Sequence, residues 1–323
     1  MKLKLLLLII AFTFCGTTVN AQSSGSNISV ALMPSYPAPY EDTTITLTSY
    51  LYNLDSVLIS WSVDGKRVAS GTGKKSFSVN APAAGKETNV TATIYLPNGL
   101  VETKIAIKPL AMVLLWQAND SYVPPFYKGK ALASPDSEIK IVAMPEAINS
   151  SGIIDSKNMV YAWKKDYTNN VDGSGYGKNF FLYISDYLED LNNVSVTAST
   201  VDQKYSSQAS IDVGTTEPKI LFYKNDSVLG TIWEKTLADT HKIQGSEIVE
   251  AAPYFISPKE LRTPSLIWSW FINGDVVDLK SFNKSLMPLS AAEGTHGNSK
   301  LKLDIQNRYK LFQAISKEIN IEF

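Results

Sequence analysis

The chain contains two histidines, His241 and His296, in different parts of its last third and each in a polar stretch. A catalytic triad or a zinc site needs a histidine beside a nucleophile or further ligands, and neither has them at a readable spacing. Both are read as exposed loop residues. Gly71-Thr72-Gly73-Lys74-Lys75-Ser76 resembles a phosphate loop in composition, but Val68 stands where the first glycine belongs and no helix start follows to cradle an anion. It is read as a glycine turn. Aspartates and glutamates are plentiful, yet no spacing pairs two of them as glycoside hydrolysis requires. Asn119-Asp120 and Asn225-Asp226 are the candidates for calcium at domain junctions, against the simpler reading of turn residues that cap a strand. Trp116, Tyr122, Phe126 and Tyr127 form the densest aromatic cluster. Exposed, they would make an adhesive or sugar-stacking patch; buried, they would staple the first domain to the second, and the interface reading is preferred. No catalytic residue and no cofactor is expected.

The compartment is read from the first residues. Lys2 and Lys4 precede an apolar run from Leu5 to Phe14, and Val19-Asn20-Ala21 precedes Gln22, the layout of a signal peptide cut after Ala21. The run is roughly 10 residues long against the ~20 that cross a bilayer, so a membrane anchor is disfavoured and no later segment reaches that length. Cys15, the single cysteine, would carry lipid in a bacterial lipoprotein, but Phe14 replaces the small residue expected before it. Discarded with the leader, it leaves a chain with neither disulfide nor thiolate chemistry. The 30 basic and 31 acidic residues nearly cancel, so no field of one sign draws in nucleic acid. An apolar share of 44% and a charged share of 19% are those of folded protein.

A threefold repeat must position whatever surface the chain uses. Leu58-Ile59-Ser60-Trp61-Ser62-Val63-Asp64-Gly65, Val160-Tyr161-Ala162-Trp163-Lys164-Lys165-Asp166-Tyr167 and Ile267-Trp268-Ser269-Trp270-Phe271-Ile272-Asn273-Gly274 align on a tryptophan. Successive anchors lie about 100 residues apart, the size of a small domain rather than of a solenoid unit. Gly71 to Lys74 and Gly173 to Tyr176 stand at the same offset from their tryptophans. Alternating strands recur before each anchor (Thr44 to Thr48, Glu138 to Ala143, Glu247 to Ala252) and about 30 residues after it (Val90 to Ile94, Val194 to Ala198, Leu301 to Ile305). A last strand closes each unit at Lys104 to Ile107, Ala209 to Val213 and Glu318 to Phe323. The joints, Pro109 to Leu132 and Pro218 to Leu237, are apolar and aromatic rather than Gly/Ser-rich, so each is expected to open the next domain with a strand. Asp186 to Asn192 and Pro258 to Arg262 are expected to make one helical turn each. Asp64-Gly65 and Asn273-Gly274 are hairpin dipeptides.

A tryptophan ending an alternating strand, followed by Val-Asp-Gly or Ile-Asn-Gly, resembles the central strand and hairpin of bacterial immunoglobulin-like and PKD-like domains. The Trp-Asp-Phe-Gly-Asp pattern of PKD domains is absent. The resemblance implies three tandem immunoglobulin-like β-sandwiches, with Trp61, Trp163 and Trp270 packed between sheets. The expected boundaries are a signal peptide at 1–21 and domains at 22–108, 109–216 and 217–323. It implies an exported, cell-envelope protein without catalysis: a spacer or protein-interaction module, with a carbohydrate-binding or adhesin module, or a filament subunit, as alternatives. Protein or surface glycan is the expected partner, and nucleic acid is not.

Overall fold

The computed structural model describes residues 27–146, 148–149, 152–243, 245–292 and 294–323. The expected leader and Cys15 lie outside these residues. The described chain is all-β. The first pair of sheets uses β1 (Ile28–Met33), β2 (Asp42–Ser49), β3 (Leu58–Val63), β4 (Lys66–Thr72), β5 (Ser76–Asn80), β6 (Thr88–Leu96) and β7 (Gly99–Ile107). The second uses β8 (Ala111–Ala118), β9 (Glu138–Glu146), β12 (Met159–Lys165), β13 (Thr168–Tyr176), β14 (Phe180–Ile184), β15 (Leu191–Thr200) and β16 (Ser206–Gly214), with a short hairpin of β10 (Ile148–Asn149) and β11 (Gly152–Ile153). The third uses β17 (Lys219–Asp226), β18 (Gly230–Thr236), β19 (Thr240–Lys242), β20 (Ser246–Tyr254), β21 (Leu266–Ile272), β22 (Asp275–Val277), β23 (Leu286–Ser290), β24 (Asn298–Asn307) and β25 (Ala314–Glu322).

One topology serves all three. The sheets β1-β2-β5, β14-β9-β8 and β18-β17-β20-β23 face β4-β3-β6-β7, β13-β12-β15-β16 and β19-β25-β24-β21-β22 respectively. The strands expected before and after each tryptophan are all present, because Val, Ile, Thr and Leu alternate there with polar residues and give each strand one wet and one buried face. The chain divides into two compact units between Ala111 and Met112, so the second and third sandwiches belong to one unit.

Each sandwich is built around its tryptophan. Trp61, Trp163 and Trp270 are at most 2% exposed. Burying an indole removes roughly 200 Å² from water, on the order of 5 kcal/mol. The indole N–H must still be satisfied, and each donates to a lysine carbonyl at 2.8 Å: Lys74, Lys178 and Lys284. Trp61 stacks on Phe77 and Trp163 on Phe181 from the opposite sheet, whereas Trp270 stacks on Phe222, from β17. These contacts correct the glycine alignment. Gly73, not Gly71, turns the chain ahead of β5, and its partner in the second sandwich is Gly177. Gly73 and Gly177 have φ of 70° and 71° and donate to the carbonyls of Val57 and Met159. A Cβ on Gly73 would lie 2.9 Å from the Asp55 carbonyl oxygen, so nothing larger fits. The equal offset of Gly71 and Gly173 was a coincidence produced by a longer β13.

The recurrent Asp or Asn after each tryptophan also has a mechanical reason. Asp64, Asp166 and Asn273 open hairpins with φ of 49°, 47° and 52°. Each side-chain Oδ1 accepts from a backbone N–H of the neighbouring strand, at Asn89, Asn193 and Lys300, at 2.8 to 2.9 Å. Neither expected helical turn forms: Asp186 to Asn192 and Pro258 to Arg262 are irregular turns ahead of strands, and Leu191 and Asn192 are already paired with Gly214 and Val213 of β16. Single 3₁₀ turns occur instead at Leu54–Ser56 and Ser156–Asn158, capped by the side chains of Asn53 and Asp155. Among the described residues no helix is long and apolar enough to cross a membrane.

Candidate interaction site

The chain between β8 and β9 leaves the second sandwich and reaches the third. Tyr122 N–H donates to the Ile256 carbonyl and Phe255 N–H to the Tyr122 carbonyl, both at 2.8 Å. Pro124 and Pro125 keep this segment extended. Of the four aromatics singled out from the sequence, the structure brings together Tyr122 and Tyr127, on the third sandwich. Tyr127 meets Tyr254 and Phe255 edge-on at 5.7 and 5.9 Å, and Tyr122 packs against the third core. The two tyrosines therefore bind the second sandwich to the third. Phe126 points away, 84% exposed at a φ of 63°. Trp116 shares the core side of β8 with buried Ala118, and the Lys130 ammonium sits 3.6 Å from its ring centroid.

Around Tyr122 and Tyr127 the third sandwich supplies more aromatic surface. Tyr223 and Tyr254 share a hydroxyl–hydroxyl hydrogen bond of 2.7 Å, and Trp233 lies 5.0 Å from Tyr223. Glu250 accepts from Asn225 Nδ2 at 3.2 Å and from the Thr231 hydroxyl. Burial, with the Glu250 charge adding to it, pushes the Tyr122 phenol up to about 12. Burial also raises Tyr254, as do its bond to Tyr223 and its neighbouring phenols. These groups stay protonated at neutral pH and act as hydrogen-bonding and packing groups, not as bases.

Beside this aromatic staple lies a buried polar joint. Ser134, Ser137, Ser185, Ser257, Asn307 and Gln313 are each at most 5% exposed. The Gln313 amide is the keystone. Its Nε2 donates to the Pro135 carbonyl at 2.7 Å and the Ser257 hydroxyl at 3.2 Å, and its Oε1 accepts from Ser257 N–H at 2.9 Å. Asn307 Nδ2 donates to the Ser257 carbonyl at 2.6 Å, and the Ser137 and Ser257 hydroxyls meet at 3.4 Å. At the rim Lys310 pairs with Asp120 at 2.5 Å, and Tyr187 stacks on Phe312 with centroids 4.3 Å apart. A buried network of this kind is specific because each unpaired member costs about 1–3 kcal/mol.

The calcium candidates are otherwise engaged. Asp120 also accepts from Glu138 N–H, Asn119 Nδ2 donates to the Glu138 carboxylate, and Asp226 caps its turn by accepting from Val228 and Leu229 N–H at 2.8 and 2.9 Å. Among the described residues no three His, Cys, Asp or Glu side chains cluster as metal ligands do. His296 is an exposed loop residue, as expected. His241 is not: it lies in β19, half-buried, with Nε2 2.6 Å from the buried Glu247 carboxylate, which also pairs with Lys224 at 3.1 Å. No local pattern marks this contact, because β19 joins its sheet by parallel pairing with the last strand, β25, about 80 residues on. Gln313, Ser137 and Ser257 were missed for a similar reason: serine and glutamine in turn-like stretches read as solvent-facing.

No protein-family model and no curated protein matches the chain. Among solved structures it is similar to the fibronectin(III)-like modules of CbhA from Clostridium thermocellum, with 17% identity over 58% of this chain and 94% of that one and a TM-score of 0.29. It is also similar to the Bacteroides ovatus mixed-linkage glucan utilization locus protein SGBP-B in complex with a mixed-linkage heptasaccharide, at 14% identity over 93% and 71% of the two chains and a TM-score of 0.21. A third similarity is to the central fibronectin-III array of RIM-binding protein, at 10% identity over 89% and 93% and a TM-score of 0.32.

Proposed function

We propose that the chain is an exported, non-catalytic protein of the bacterial cell envelope, a spacer and protein-interaction module of three immunoglobulin-like domains at 22–108, 109–216 and 217–323. The observation that carries this reading is the joint between the second and third sandwiches. A spacer must transmit position along its length, and a joint closed by Gln313, Ser257 and Asn307 and clamped by Tyr122 and Tyr127 holds two sandwiches in one orientation. The test is a spin-label distance measurement on Tyr167→Cys/Val276→Cys, in the chain freed of residues 1–21 and so of Cys15, its single native cysteine. Both positions are exposed hairpin residues, one in each sandwich. One narrow distance distribution, unchanged by calcium chelation, is expected; a broad distribution sinks the spacer reading.

The second reading is a glycan-binding or adhesin module, and the exposed ring of Phe126 next to Tyr127 favours it. Affinity electrophoresis of the chain in soluble neutral polysaccharides tests it. Retardation lost in Phe126→Ala supports the glycan reading; unretarded migration in all of them removes it.

A further inference from the structure

The outward face of the sheet β14-β9-β8 is apolar, unlike the same face of the first sandwich. Phe180, Leu182 and Ile184 lie opposite Val142, Lys140 and Glu138 in register, and Phe181 and Tyr183 between them point inward to stack. Asn119 continues β8 and bonds Glu138, which places Gln117, Leu115 and Val113 on this same side. Val113, Leu115, Met144, Phe180, Leu182 and Ile184 are 42% to 66% exposed. In the first sandwich the corresponding face carries Thr44, Thr46, Ser76 and Ser78, whose hydroxyls pair across the strands at 3.0 and 3.3 Å. In the third, the matching strand β23 carries Pro288 on this face, and Tyr223, Glu250 and Tyr254 are tied up in hydrogen bonds.

We infer that this face is a self-association surface, on which a second copy of the chain docks its own β14-β9-β8 face. The six side chains leave on the order of 500 Å² of apolar surface in water, the upper end of the ~300–600 Å² of the largest patch on a monomer. Two such faces with their polar rims reach the ~1,200–2,000 Å² of a specific interface. The occupant has to be apolar and flat. A sugar is a poor match, since Phe180 is the one aromatic ring on the face and aliphatic side chains offer no stacking plane. A sheet face is a good match, because aligned sheets pack about 10 Å apart through such side chains, as they do inside each sandwich. The charges also suit a copy of the same surface: Lys140, 4.9 Å from the Phe180 ring centroid, and Glu138 stand two residues apart on the central strand with opposite signs, with Glu146 at its far end. A copy laid end-for-end about the point between Lys140 and Glu138 sets each Lys140 against the partner's Glu138, whereas two faces laid in the same sense would set Lys140 against the partner's Lys140. The surface is independent of the spacer reading, which concerns the joint.

Sedimentation equilibrium of the chain freed of residues 1–21, between about 1 and 100 µM, tests the inference. The expected result is a concentration-dependent dimer that Leu182→Lys and Leu115→Lys each weaken by about 100-fold or more, at an unchanged melting temperature. Ser78→Lys, on the corresponding face of the first sandwich, should leave the dimer intact. If a lysine variant melts early, Leu182→Thr replaces it, keeping strand propensity while removing the apolar contact. A monomer throughout the range, or a dimer indifferent to both substitutions, overturns the inference. So does a monomer that binds phospholipid vesicles through Leu182, which would give the face to lipid.

Discussion

The first sandwich and the pair that follows it solve the same packing problem with different degrees of independence. The first has a core cluster, from Ile28 to Ile107, drawn from its own strands and turns, around Trp61 and Phe77. The third cannot be described without Tyr122, which comes from the segment ahead of β9 yet packs against its core. The second and third also share the Gln313 amide and the serines around it. The difference lies in which groups close the end of each sandwich. Where an end is closed by its own turns, a sandwich is a thermodynamic unit; where it is closed by another sandwich's hydrogen-bonding groups, the two unfold together.

The largest test of that contrast is tryptophan truncation. Trp61→Ala and Trp163→Ala each remove a buried indole and should cost about 3–5 kcal/mol. In calorimetry of the whole chain, Trp61→Ala should lower one transition and leave the other in place, whereas Trp163→Ala should bring down the second and third sandwiches together. Three independent transitions in the unaltered chain would break the comparison. Next in size is Gln313→Leu. It strands the Ser257 N–H and the Pro135 carbonyl and should cost about 2–3 kcal/mol, splitting the shared transition while leaving that of the first sandwich unmoved.

A smaller effect sharpens the comparison at the hairpins. Gly65 and Gly274 occupy left-handed positions in the first and third, but the second places Tyr167 there, at a φ of 65° and 87% exposed. Tyr167→Gly should therefore raise the stability of the shared transition by about 1 kcal/mol, and Gly65→Ala should lower that of the first by a similar amount, both read as melting shifts. The smallest effect is acid sensitivity. Burial works against ionisation of Asp166, but hydrogen bonds from Lys165 and from Asn193 N–H outweigh it and hold its carboxyl below the ordinary 3.8. Its stabilising contribution is present above that value and is lost as pH falls through the depressed one. Asp166→Asn, the residue that the third sandwich already carries at Asn273, should flatten the melting temperature of the shared transition against pH in this acid range.

Much of the fold was legible because strands advertise themselves locally. The alternation in Val90 to Ile94 or Leu301 to Ile305, the three tryptophans and the Asp-Gly and Asn-Gly dipeptides are each explained by neighbours in the same sandwich. Glycine spacing misled, because β13 has a longer path than β4 and shifted Gly177 out of the offset that Gly73 sets. The candidate site was legible only as composition. Tyr122 and Tyr127 were recognisable as aromatics with something to cover, but their partners Tyr254 and Phe255 lie more than 100 residues on, and no local pattern links them. The unbroken apolar run Phe180 to Ile184 was the one available sign of an exposed face, and it is lost in a search for alternation, since Phe181 and Tyr183 satisfy the inward half of the pattern.

The Gln313 amide also sets where the chain can be cut and rejoined. Because its hydrogen bonds reach Pro135 and Ser257 in opposite halves of the joint, a recombination point between the second and third sandwiches would separate the amide from the Pro135 carbonyl to which it donates. The first sandwich, a compact unit of its own with its own core cluster, is expected to be duplicated, lost or transplanted as a cassette. The other two form a single heritable piece, so shuffling among chains of this kind should leave its scars near Ala111 and not near Thr216.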